Sequence, residues 1–247
     1  MTAVLFIHGF PFDHSMWRHQ VAALSRWRCI APDLRGAGAS PGSDLATEYS
    51  VALYANDLIE LLDALEIREA VICGLSLGGY IAFELLRSHA GRVRAAILCD
   101  TKAPADTAEA KRQRDAMAAL AQQSGAGAIA EQLLPKLLSR STWEQRPEVV
   151  REVREMITRA PVRGIVGALH ALRERPDSSP LLERIRVPVL AVAGADDQIT
   201  PAEGMREMAS AIPGAEFVVI PEAGHLAPLE QPVAVNAAIS AFLTKLG

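Results

Sequence analysis

Aromatic residues are scarce. Phe, Trp and Tyr make up 5% of the 247 residues, while hydrophobic residues of all kinds make up 50%. A core so poor in rings has to be filled by Ala, Val, Leu and Ile, as in a buried parallel sheet. The same apolar content excludes disorder as the global state. Cysteine is scarcer still: Cys29, Cys73 and Cys99 are odd in number and lack CxxC spacing, which argues against a disulfide framework or a cysteine metal site. Each falls inside a strand-like apolar run, so buried, reduced thiols are expected. An excess of positive charge is also missing. With 25 Lys and Arg against 29 Asp and Glu the net charge is −4, which speaks against a nucleic-acid partner. No apolar run approaches the roughly 20 residues needed to cross a bilayer, so no membrane partner is expected. The leading run Ala3 to Ile7 has neither a basic segment before it nor a small-residue cleavage site after it, so the cytoplasm is the expected location. At this length one large domain, or a core with an insertion, is the expectation.

Six short apolar runs read as strands, at 3–8, 28–33, 70–75, 93–99, 187–193 and 216–220. Helical patterns stand between most of them: Met16 to Trp27, Ser50 to Leu65, and Leu77 to Ala90, the last closed by Gly91. Strand and helix in alternation predict an α/β fold with a mostly parallel sheet flanked by helices. The rhythm breaks after the fourth strand. Residues 102–186 hold no convincing strand and read as helices near 106–123, 126–139, 147–159 and 161–173, with Pro147 and Pro161 where a first turn tolerates proline. The division expected is thus a core of 1–101 and 187–247 with a helical cap inserted at 102–186. Such a cap would lie over the carboxyl edge of the sheet, where open α/β sheets bind ligands.

The strongest chemical signal is Gly74-Leu75-Ser76-Leu77-Gly78-Gly79, a G-x-S-x-G between a strand and a helix. A serine on so sharp a turn is strained, and side chains two residues to either side would collide, so glycine is needed at both places. The hydroxyl is a weak nucleophile until a base takes its proton. His225 fits that need: it follows Gly224 in the loop after the last strand, whereas His89 and His170 fall on helical positions. The imidazole needs a carboxylate in turn. Asp100, Asp196 and Asp197 all sit near strand ends, and the adjacency of the last two strand ends favours the later pair. Ser76, Asp197 and His225 then stand in the order Ser…Asp…His, one of the known triad arrangements. Leu77 opens a helix whose first amides are unpaired and whose dipole favours negative charge, so its N–H is a candidate oxyanion donor.

With these segments in view, the chain resembles the α/β-hydrolase family over nearly its whole length. The resemblance extends to Phe6-Ile7-His8-Gly9-Phe10, to Pro32-Asp33-Leu34-Arg35-Gly36-Ala37-Gly38-Ala39-Ser40, to Gly194 through Pro201, and to Gly224 through Pro232. It implies Asp197 as the acid, three residues after Gly194, and makes Asp196 a turn residue. It also implies an oxyanion hole from the Phe10 and Leu77 amides, a structural rather than substrate-binding Arg35, and no metal or organic cofactor. The core is similar to shortened members that lack two leading strands. Within the family the cap and the Leu98 to Ala103 segment look nearest to small carboxylesterases and enol-lactonases, so a small ester or lactone is the implied substrate. Ser76 sets the chain apart from members with an aspartate nucleophile. Two other readings stay open: a hydrolase-like ligand receptor with slow turnover, and a carbon–carbon bond hydrolase, although Leu75 stands where those usually carry a polar residue. A cap of aliphatic residues predicts a small apolar pocket, with Phe12, Leu134, Trp143, Ile165 and Leu226 as candidate lining groups.

Overall fold

The computed structural model describes residues 2–43 and 45–247. Six strands form one parallel sheet: β1 Ala3–Ile7, β2 Arg28–Ile30, β3 Ala70–Leu75, β4 Val93–Cys99, β5 Val189–Gly194 and β6 Glu216–Ile220, in the order β2-β1-β3-β4-β5-β6. Strands β1, β3 and β5 are buried at every residue. A parallel sheet covered on both faces needs continuous apolar runs rather than alternating ones, and these strands have them. β2 is shorter than its apolar run suggests. Pro32 has no amide to give the ladder, and the chain leaves the sheet after Ile30.

The helices are α1 Arg18–Ala23, α2 Val51–Ala64, α3 Leu77–Ser88, α4 Ala108–Leu137, α5 Arg140–Gln145, α6 Pro147–Thr158, α7 Val162–Glu174, α8 Ser179–Leu182, α9 Ala202–Ser210, α10 Ala227–Glu230 and α11 Pro232–Lys245. Caps set several of the starts. The hydroxyls of Ser50, Thr107 and Ser139 accept from the amides of Leu53, Ala110 and Thr142. Part of the expected first helix is a single 3-10 turn, His14–Trp17, leading into α1. The two helices expected across 106–139 are both present as the two parts of α4, which meet at Gly125, whose φ of 76° lies in the left-handed region that glycine adopts without strain. Helix α5 escaped the sequence reading because it is too short to show a period.

Of the helices between β4 and β5, α6 and α7 each pack on α4. Helix α6 turns Val149, Val150, Val153, Met156 and Ile157 inward, an apolar stripe at helical spacing. The α7 helix touches the core through a backbone-to-backbone contact: a side chain on Gly164 would begin 1.8 Å from the Gly36 carbonyl oxygen, and one on Gly167 would meet the Tyr49 ring at 2.5 Å. Gly164→Ala therefore has to push α7 off the loop after β2. Overpacking of this kind costs about 1–3 kcal/mol, and a fall in melting temperature of roughly 2–10 °C is expected by calorimetry. An unchanged midpoint would mean that the helix can shift freely.

Candidate active site

All the sequence-derived catalytic candidates lie at the carboxyl ends of the strands. Ser76 follows β3 with φ 53° and ψ −109°, a conformation costly for any residue with a side chain. Neighbouring groups hold it there. Its N–H donates to the Cys99 carbonyl at 3.0 Å, and its carbonyl accepts from the Thr101 hydroxyl at 2.9 Å. A Cβ on Gly74 would stand 2.2 Å from the Gly78 carbonyl oxygen, and one on Gly78 would stand 2.2 Å from that of Ile7. The turn can close only because both positions are glycine. Leu77 opens α3 directly after Ser76, so its amide is among the donors that a helix N-terminus leaves unpaired.

Asp197 and His225 meet each other across the loops after β5 and β6. The His225 Nδ1 lies 2.8 Å from Asp197 Oδ2, with both side chains buried. The other carboxylate oxygen accepts from the amides of Ile199 and Thr200 at 2.7 and 3.0 Å, and the Thr200 hydroxyl donates to Oδ2. Burial opposes ionisation of Asp197, but the His225 ring and the Thr200 donors outweigh it and hold the carboxyl below its usual range. Nδ1 is thus turned to the carboxylate, while the ring as a whole borders the cleft that Ser76 also lines.

The two competing acids have other surroundings. Asp196 is exposed, and its amide donates to the Ala223 carbonyl at 2.8 Å, as a turn residue would. Asp100 is fully buried, accepts from the Gly194 amide at 2.7 Å through Oδ1, and leaves Oδ2 without a partner among the described residues. Burial first, and then the negative charge of Asp197, pushes its pKa well up, which keeps it neutral beside an ionised neighbour.

Two residues that the sequence reading left without a role frame the site. Glu230 is 0% exposed. Its Oε1 accepts from the amides of Gly224 and Leu226, and its Oε2 from the Ser139 amide and the Thr142 hydroxyl, both at 2.7 Å. One carboxylate thus ties the His225 loop to the start of α5, and the His225 amide adds a bond to the Leu137 carbonyl at 2.9 Å. The signal was present as a lone acid inside an apolar run, Pro228-Leu229-Glu230. The second is His8. Its Nδ1 donates to the Gly9 carbonyl at 2.9 Å and its Nε2 accepts from the Leu34 amide at 3.0 Å, which braces the turn that carries the Phe10 amide. Burial lowers its pKa, so the ring is neutral and can both donate and accept.

Ser76 and His225 share a cleft of about 280 Å³ whose walls include Phe10, Tyr80, Leu133 and Ile199. None of the five expected lining groups borders it. Phe12 and Ile165 line a separate apolar nook of about 20 Å³ beside Phe10 and Leu77. Leu134 is turned into the protein while its helix neighbours Leu133 and Leu137 face the cleft, a phase difference that the aliphatic run Leu133-Leu134 hides. Trp143 is 38% exposed on α5, and Leu226 is buried beneath the His225 loop. Nor is the cleft apolar throughout, since Lys102, Asp106, Gln113, Arg114, Lys136 and Gln198 also line it. Arg35 lies outside it and pairs with Asp57, its Nε 2.8 Å from the carboxylate.

Replacing each acid by asparagine separates them. Asp197→Asn is expected to lower turnover by about four orders of magnitude, because the amide favours the wrong imidazole tautomer. Asp100→Asn should retain most activity. It should also raise the melting temperature at pH 8 relative to pH 4: the folded state keeps a proton on Asp100 that the unfolded chain releases above about pH 4, so stability falls as pH rises in the parent and not in the variant. Glu230→Gln places an amide group against buried N–H donors. A kcat reduced about tenfold or more, with a smaller change in KM, is the expected result, since displaced catalytic groups lose rate steeply. A normal kcat would show that the His225 loop holds itself.

Comparison with known proteins places this geometry in a family. A family model described as the alpha/beta hydrolase fold matches residues 2–232. The chain is 31% identical over 244 residues to 3-oxoadipate enol-lactonase 2 of Acinetobacter baylyi, covering 98% of this chain and 89% of that protein. Among solved structures it is similar to a thermophilic esterase from Thermogutta terrifontis with malate bound, at a TM-score of 0.97 and 42% identity, covering 100% of this chain and 90% of that one. It is also similar to the enol-lactonase from Burkholderia xenovorans, at a TM-score of 0.91 and 31% identity, covering 98% and 91%. The chain belongs to the α/β-hydrolase family.

Proposed function

We propose that the protein is a serine hydrolase of small carboxylic esters or lactones that works through an acyl-enzyme on Ser76. The observation that carries this reading is the 2.8 Å hydrogen bond between buried His225 and Asp197 at the cleft that also holds Ser76. Ser76 Oγ attacks the substrate carbonyl while its proton passes to His225 Nε2. The tetrahedral oxyanion accepts hydrogen bonds from the Phe10 and Leu77 amides, interactions that strengthen as charge develops on the oxygen. His225 returns the proton to the leaving alkoxide, or to the ring-opened oxygen of a lactone. Water activated by the same nitrogen then releases the acid. Asp197 stays ionised throughout and stabilises the imidazolium.

The enol-lactonase and esterase relatives support the choice of ester or lactone over other carbonyl compounds. The size of the cleft supports compact substrates over long-chain lipids. Since triad members act as a unit, Ser76→Ala is expected to reduce turnover of p-nitrophenyl acetate by roughly six orders of magnitude with the melting temperature retained. A Ser76→Ala protein that cleaved this ester at close to the parent rate would refute the assignment. A single turnover per molecule in the parent would favour a receptor that retains slow hydrolysis.

A further inference from the structure

The cleft carries an excess of positive charge that ester hydrolysis itself does not use. Lys102, Arg114 and Lys136 line it, with Asp106 as the opposing acid. Asp106 is already engaged: Arg114 Nε lies 3.1 Å from its Oδ2, and Arg175 Nη1 lies 2.7 Å from its Oδ1. One carboxylate between two guanidiniums is itself a net cation. The Arg175 guanidinium also sits 4.2 Å above the Tyr80 ring, which fixes the cluster against the cleft wall.

Among the described residues Lys102 makes no hydrogen bond or ion pair; it stands beside this cluster and feels only the fields of Asp106, Arg175 and Arg114. It follows Thr101, whose hydroxyl fixes the Ser76 carbonyl, so its backbone is anchored at the nucleophile. The side chain is half-buried, and burial together with the two arginines makes its charge costly to hold. An anion entering the cleft removes that cost. The protein as a whole carries −4, so its net charge does not attract anions, and the positive potential is local to the cleft. Apolar side chains share the lining with these cations: Met117, Leu133, Leu137, Leu172 and Ile199. The space thus offers both apolar and cationic contacts.

Resting on the hydrolase reading above, we propose that the cleft selects esters or lactones bearing a carboxylate away from the scissile bond, with Lys102 as the residue that binds it. Lys136, exposed at the rim on α4, adds attraction on entry. The short aliphatic part of the substrate lies along the leucines, and the carboxylate accepts hydrogen bonds from the ammonium.

The test compares monoethyl glutarate with ethyl pentanoate, which differ by a carboxylate in place of a methyl group. For the parent protein at low salt the half-ester is expected to have a kcat/KM about tenfold higher or more, expressed mainly in KM, since a charge-assisted contact in a part-buried site is worth at least this factor. Lys102→Met should bring the ratio of the two substrates close to one, and Lys102→Arg should keep most of it. A parent protein that cleaves ethyl pentanoate as well as the half-ester overturns the proposal and leaves the hydrolase reading intact, as does a ratio that survives in Lys102→Met. Failure to cleave either ester, or p-nitrophenyl acetate, counts against the hydrolase reading itself.

Discussion

The backbone of Ser76 is held where a residue with a side chain does not rest by choice, and the rest of the site is arranged around that constraint. The positive φ lets Ser76 border the cleft while Leu77 begins a helix, so the proposed nucleophile and the proposed oxyanion donor come from one turn. The strain persists because the sheet over-determines it. The amide of Ser76 is bonded to β4, its carbonyl to Thr101, and the turn closes through glycines that touch the backbones of β1 and α3. A parallel order of β1, β3 and β4 is what brings those three backbones together.

The second half of the site comes from the far end of the chain and is joined to the inserted helices. Gly194, Gly224 and the α4–α5 junction approach so closely that a Cβ at Gly194 would stand 2.0 Å from the Gly224 carbonyl oxygen, and one at Gly224 would stand 2.8 Å from the Ser139 nitrogen. Glu230 satisfies the amides left over at this crowded place. The histidine is therefore positioned jointly by the sheet, through Asp197, and by the helices that line the cleft. A change at the α4–α5 junction reaches His225 through backbone contacts, not only through the shape of the pocket.

Much of this was legible in the sequence because the signals are local. Continuous apolar runs gave the strands, and Gly74-Leu75-Ser76-Leu77-Gly78 specified a turn whose steric logic the structure repeats. What was illegible depends on phase and on distant partners. Leu133 and Leu134 are the same residue type side by side, and only the packing of α4 decides which of them meets the cleft. Trp143 lies on a helix too short to have a period. Lys102, Arg114 and Asp106 look like ordinary surface charges in a row of letters, yet the fold gathers them beside Ser76, which turned an expected apolar pocket into a partly cationic one. Glu230 was visible as a lone acid in an apolar run, but its four donors come from segments up to 91 residues away.

If the proposed mechanism holds, one serine, Ser76, is activated by its surroundings as the nucleophile. Incubating the folded protein with a fluorophosphonate and measuring intact mass, followed by peptide mapping, tests it directly. A single adduct per chain on the Ser76 peptide, formed in competition with a short ester, is the expected result. Labelling of another residue at comparable rate, or no adduct on a protein that still cleaves esters, would contradict it.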